Sequence, residues 1–288
     1  MWVIYAFLSA LFAGITAILA KIGIQHTDSH LATALRTIVV LVFAWVMVFL
    51  VGSQDTISEI QPKSLVFLIL SGFCTGASWI CYFRALQLGN INKVVPIDKS
   101  SILLTMLMAF LFLHEPVSAS KVISMAAIAA GTYLMIQKKE TAEEAVSGRA
   151  WLIYAVLSAV FAAATSILGK VGIEGVESNL GTAIRTIVVL VLAWTIVFAQ
   201  GKQREIKRID ARSGLFIVLS GFATGFSWLF YYQALQEGPA SIVAPIDKLS
   251  IVVTILFSYI VLKEKLTLKA LIGFFILVGG TMLLLVNF

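Results

Sequence analysis

The sequence predicts an all-α membrane protein: ten transmembrane helices forming two inverted-topology five-helix repeats around a central cavity. Three observations carry that prediction. Of 288 residues, 60% are hydrophobic and only 12% charged, with a mean hydropathy of +0.98, more apolar surface than a soluble fold of this length can hide. Ten stretches are apolar over the roughly 20 residues that a helix needs to cross a bilayer core of about 30 Å. Finally, the chain is one sequence written twice.

The stretches run approximately 2–24, 31–51, 64–86, 94–114, 121–137, 151–173, 180–200, 213–235, 243–262 and 269–287. None alternates with the period of a strand, so each reads as a helix. The first has no basic segment before its apolar run and recurs at Trp151, which makes it a structural helix rather than a signal peptide. The second carries Arg36 in "LATALRT", the third a glycine-rich "SGFCTGASW", and the fourth opens on "VVPIDKSS". The fifth ends in Gly131-Thr132. The next five stretches repeat these features in order: Arg185 in "LGTAIRT", then "SGFATGFSW", "APIDKLS" and Gly280-Thr281. With a shift of 149 the halves align without a gap, and 64 of 138 positions are identical. Residues 1–139 form the first repeat and 151–288 the second, with 140–150 as a charged linker. Five is an odd number of spans, so the second repeat enters the membrane from the opposite side.

The net charge of +6 sits in the loops. In a membrane protein it signals topology, and no nucleic-acid partner is expected. Cys74 and Cys81 read as packing residues, and His26 and His30 do not recur as histidine, so no metal site is expected. Asp98 and Asp247 are the acidic residues placed inside spans. A short carboxylate cannot reach the headgroups as Lys21 and Lys170 could, which points to an interior ion pair or a transport role. Arg36 and Arg185 fall about five residues, or roughly 7 Å, into spans 2 and 7. Neighbours on a helix point apart, so Arg36 is the expected forked partner of Asp98, and Arg185 of Asp247. Lys99 and Lys248 are then left to bind an anionic substrate group or to line a water-filled cavity. Inversion places one charged cluster near each face, as two gates at opposite mouths. Pro96 and Pro245 read as helix starts, with a broken helix as the alternative. Trp79 with Tyr82, and Trp228 with Tyr231, share faces of spans 3 and 8, as belt residues or as substrate contacts. Gly72, Gly76, Gly221 and Gly225 allow close helix approach.

The arginine early in span 2, the glycine-rich span 3, the proline at span 4, the glutamates after spans 4 and 9 (Glu115 in "HEP", Glu264 in "KEK") and the late Gly-Thr pairs resemble the EamA-type drug/metabolite transporter superfamily along the whole chain. The resemblance implies a multi-pass protein of the cell (inner) membrane that exports amino acids and other small metabolites. It also implies a cavity lined largely by spans 1, 3, 4, 6, 8 and 9, single-repeat relatives of half this length, and cytoplasmic termini. The loop charges point the other way. Two Lys/Arg on the side of the termini against twelve on the other place both termini outside. The "PIDK" charges are not a general feature of that superfamily.

The expected function is secondary transport of a small polar metabolite, anionic or zwitterionic such as an amino acid, by alternating access in the export direction. No Walker motif is present, so an ion gradient or substrate exchange must drive it. Asp98 and Asp247 are the candidate proton carriers, and no cofactor is expected. An intramembrane enzyme would want paired acids, a Ser/His pair or metal ligands at workable spacing within spans, and the spans lack them. A non-transporting lipid-handling or interaction protein is the alternative, although it has no need of two matched charged clusters. Substrate identity, coupling ion and oligomeric state stay open, and apart from the resemblance the residues leave the direction of transport open too.

Overall fold

A computed structural model describes residues 1–23, 27–88, 91–135, 150–260 and 267–286. His26, Glu264 and the linker up to residue 149 lie outside the described residues. The first repeat holds α1 (Trp2–Gly23), α2 (Ser29–Val51), α3 (Pro62–Leu88), α4 (Ile91–Lys99), α5 (Ser101–Phe112) and α6 (Ala119–Met135). The second holds α7 (Ala150–Gly172), α8 (Ser178–Ala199), α9 (Ala211–Glu237), α10 (Ala240–Asp247), α11 (Ser250–Ile260) and α12 (Leu268–Val286). Short 3-10 helices, Ser53–Glu59 and Lys202–Arg208, follow α2 and α8.

By length and composition, eight described stretches can cross a bilayer: α1, α2, α3, α7, α8, α9, the run Ala240–Phe257 through α10 and α11, and α12. This is the pattern of a multi-pass membrane protein, with eight such stretches against the ten expected. The difference lies in the first repeat. There α6 has only 17 residues, and the fourth expected span is divided into α4 and α5.

The helix ends follow from local chemistry. Asp28 caps α2 by accepting from the backbone N–H of His30 (3.0 Å) and Leu31 (3.1 Å). Glu177 does the same for α8, with Asn179 and Leu180 each at 3.0 Å. A side-chain oxygen here satisfies donors that the helix leaves open. After α2 and α8 the chain turns at Gly52 (φ 76°) and Gly201 (φ 67°), a left-handed conformation that glycine adopts without a Cβ clash.

The two divided helices begin earlier than the sequence suggests, at Ile91 and Ala240 rather than 94 and 243. Pro96 and Pro245 are therefore not helix starts. They fall inside α4 and α10, three residues before each helix ends or two before it. At the second junction the backbone tightens to i→i−3 bonds, Lys248 N to Pro245 O (3.2 Å) and Leu249 N to Ile246 O (2.9 Å). At the first, Ser100 N donates to Ile97 O (3.1 Å), and its Oγ donates to the same oxygen at 2.6 Å. A mid-helix tightening of this kind often marks a hinge.

Glu115, flagged by the family resemblance, supports the start of α10. Its carboxylate accepts from Ala240 N–H (2.6 Å), Ser241 N–H (3.0 Å) and the Ser241 hydroxyl. A negative charge at a helix N-terminus is favourable, and this one is lent by the other repeat. Glu115→Ala is expected to cost about 1–2 kcal/mol, read as a lower melting temperature of the purified protein.

The repeats embrace. α1 lies along α9 and α7 along α3, so each repeat's first helix packs on the other's third. The repeat-related pairs α2/α8 and α6/α12 also pack together. α6 and α12 run antiparallel, because Gly131 meets Gly273 and Leu277 while Gly280 meets Ala127 and Ile128. The interior is rich in small residues such as Ala6, Ala34, Ala44, Ala159 and Ala193. Large apolar side chains such as Val42, Phe49, Leu111 and Phe275 point outward, as expected when the surrounding solvent is lipid.

Candidate functional site

A cavity of about 340 Å³ lies between the repeats. Six repeat-related pairs line it: Ala13/Ala162, Thr16/Thr165, Arg36/Arg185, Thr75/Thr224, Ser78/Ser227 and Trp79/Trp228. Ser166, Tyr231, Tyr232, Asp247 and Lys248 join them without their counterparts. Of the predicted site residues, Arg36, Trp79, Arg185, Trp228, Tyr231, Asp247 and Lys248 are brought together here. Tyr82, Asp98 and Lys99 are not. Tyr82 packs against the buried cluster of Ala85, Val94 and Ala155, and Lys99 lines a separate cleft of about 170 Å³ beside Thr132 and Tyr133.

The expected depth of the charges is corrected. Arg36, Arg185, Asp98 and Asp247 are each the eighth residue of the helical stretch that carries them, about 12 Å along it. The sequence placed them nearer the ends because the stretches begin earlier than their apolar runs. Both arginines face one shared cavity with Lys248, whereas Lys99 lines the separate cleft.

The expected partners are corrected too. Among the described residues neither aspartate pairs with an arginine. α10 packs against α1 and α5 rather than against α8, and Asp247 accepts from Ser9 Oγ at 2.6 Å. Ser9 in turn lies 3.4 Å from Ser227 Oγ. The first repeat mirrors this arrangement. Asp98 accepts from Ser158 Oγ at 2.9 Å, and Ser158 lies 3.4 Å from Ser78 Oγ. Each aspartate is thus held by the first helix of the other repeat. Lys248 Nζ stands 3.8 Å from Asp247, a long contact, as its adjacency predicts. Hydrogen bonds to charged groups contribute about 1.5–3 kcal/mol. Ser9→Ala and Ser158→Ala are each expected to lower stability in that range, and a thermal melt of either variant checks it.

Arg185, 1% exposed, turns towards α3. Its Nη2 donates to Thr75 Oγ1 (2.7 Å) and its Nε to Ser71 Oγ (3.3 Å). Its guanidinium lies over the rings of Tyr232 (4.4 Å) and Trp228 (5.2 Å). Two hydroxyls and two ring faces hold the cation where a carboxylate was expected. Tyr231 Oη is 2.8 Å from Ser166 Oγ.

The residues missed by sequence reasoning are these hydroxyls: Ser9, Ser71, Thr75, Ser78, Ser158 and Ser227. Their signal was present, because each recurs at the same place in both halves within an apolar span. "SGFxTGxSW" was read for its glycines and tryptophan, while in the first repeat its Ser71 and Thr75 hold Arg185.

A cavity walled by matched polar side chains from two halves of a multi-pass helical protein is the central feature of a membrane transporter. A model of the EamA-like transporter family matches residues 1–137 and 149–286, and the chain belongs to that family. The uncharacterized transporter in the cobO 3′ region of a Sinorhizobium species is 44% identical over 138 residues, which cover 48% of this chain and 98% of that protein. It is thus about one repeat long, as the resemblance implied. An uncharacterized protein of Methanocaldococcus jannaschii is 31% identical over 86 residues, 30% of this chain and 63% of that one. A solved crystal structure superposes with a TM-score of 0.80 at 17% identity, over 99% of this chain and 96% of the other. At that identity it shows the fold alone.

Proposed function

We propose that the protein is a secondary transporter of the cell (inner) membrane. It exports a small polar metabolite, anionic or zwitterionic such as an amino acid, by alternating access of two inverted five-span repeats. In this reading α4–α5 and α6 are the fourth and fifth spans, and the repeats rock about the cavity they share. The observation that carries it is the pairing within that cavity, where twelve of the lining residues form six repeat-related pairs. Such pairing is what exchange between two mirrored conformations requires. The paired arginines, the tryptophans and Asp247 with Lys248 supply groups for a polar ligand.

The test is a thermal-shift screen of amino acids and organic anions on purified protein, followed by counterflow in proteoliposomes for every hit. A ligand that binds the native state alone raises its melting temperature. Saturable counterflow of at least one hit is expected. Binding without any flux would favour a lipid-handling or interaction protein instead.

A further inference from the structure

Arg36 and Arg185 occupy repeat-related positions in which the backbone is held alike and the side chain is not. Gly72 of α3 lies so close to α8 that a Cβ there would come within 2.6 Å of the Arg185 carbonyl oxygen. Gly221 of α9 lies against α2, where a Cβ would meet the Arg36 carbonyl oxygen at 3.2 Å. Each arginine therefore leaves its helix beside the same Ser-Gly-x-x-Thr segment of the other repeat: Ser71 to Thr75 for Arg185, and Ser220 to Thr224 for Arg36.

Arg185 fills its cradle. Ser71 Oγ donates to Thr165 O (2.7 Å), which leaves its lone pairs facing the Arg185 Nε. The cradle beside Arg36 is in another state. Ser220 Oγ is turned back onto Ile217 O (2.7 Å), whereas Thr224 Oγ1 bonds Ser220 O (2.7 Å) just as Thr75 Oγ1 bonds Ser71 O (3.1 Å), so the serine is what differs. Phe83, at the position of Tyr232, packs on His30 with ring centroids 4.2 Å apart. Among the described residues the Arg36 guanidinium has no hydrogen-bond or ion-pair partner, yet it lines the cavity.

Resting on the transport reading above, we propose that the two arginines take turns as the anchor for a carboxylate of net negative charge. In this conformation Arg185 is parked on Ser71 and Thr75, and Arg36 offers its forked donors to the substrate. In the mirrored conformation Arg36 folds onto Ser220 and Thr224, and Arg185 is released to the cavity. The charge on the walls selects the ligand. Arg36, Arg185 and Lys248 face Asp247 alone, and Asp247 is matched by Lys248. A zwitterion would leave this excess uncompensated, whereas a net anion answers it, and a planar carboxylate matches a guanidinium fork. The indoles of Trp79 and Trp228 suit a flat carbon framework beside it.

The experiment uses full-length protein in lipid nanodiscs, with benzoate and succinate as carboxylate probes and phenylalanine as the net-neutral control. Wild-type protein is expected to bind a carboxylate probe and not phenylalanine. Arg36→Gln is expected to weaken that binding roughly 10- to 100-fold. Adding Thr75→Val to Arg36→Gln unparks Arg185, and binding returns to within about tenfold of wild type, since loss of a parking site raises the competent population. Ser71→Ala with Arg36→Gln serves the same purpose if the threonine variant does not fold. Double variants as weak as Arg36→Gln alone would overturn the alternation, and so would tighter binding of phenylalanine than of either carboxylate. Flux of some other solute with no carboxylate binding would leave the transport reading standing and remove this inference, whereas absence of all flux would remove the reading beneath it.

Discussion

Arg185→Ala is expected to abolish transport and to lower the stability of the protein by about 2–4 kcal/mol. The residue is almost fully buried, and it joins α8 to α3 through Ser71 and Thr75 and to α9 through Trp228 and Tyr232. Each charge-assisted hydrogen bond contributes about 1.5–3 kcal/mol, and a desolvated cation–π contact up to about 2 kcal/mol. The net loss is smaller than their sum, because removing the charge also removes the cost of keeping it out of water. Arg185→Lys separates charge from geometry. The ammonium keeps the cation but cannot reach two hydroxyls as a planar fork does, so flux should fall to about a tenth or less with a smaller loss of stability. Counterflow and thermal melts of both variants check the pair of outcomes. Wild-type flux in Arg185→Ala would reduce this residue to a space-filler.

The second large effect is expected at Gly273→Val, where α6 and α12 cross. A Cβ at Gly273 would sit 2.7 Å from the Gly131 carbonyl oxygen and 2.9 Å from the Met135 nitrogen. One at Gly131 would meet the Leu277 nitrogen at 2.5 Å. Backbone meets backbone on both sides, so no side chain can swing away and a whole helix must move. Overpacking in a tight interior costs about 1–3 kcal/mol, and the upper end or beyond is expected here, read as loss of monodisperse protein or a large drop in melting temperature. Gly279, six residues on, is the control. A Cβ there meets nothing within 4 Å, so Gly279→Ala should change stability by less than about 0.5 kcal/mol.

The helical class, the duplicated chain and most of the charged cavity were legible in the sequence, because membrane burial leaves long apolar runs and repetition leaves identities. The depth of the charges was not. "PIDK" was placed near a span end because proline commonly opens a helix, whereas α4 and α10 begin several residues earlier. The partners of the aspartates were hidden for a different reason. A search for counter-charges passes over hydroxyls, and Ser9 is 238 residues from Asp247. Symmetry also misled at Tyr82. Its counterpart Tyr231 reaches Ser166, but the first repeat has Ala17 where the second has Ser166, so the same tyrosine has no such hydroxyl to meet.

The crossed pairing of the repeats bears on how the protein is made. Ser9 is synthesised before Asp247, which follows 238 residues later. At about 5–20 residues per second, the ribosome needs roughly ten to fifty seconds to deliver it. For that interval the nascent first half carries its inner hydroxyls without their final companions, and the two repeats can pair fully only once the fourth span of the second has been made.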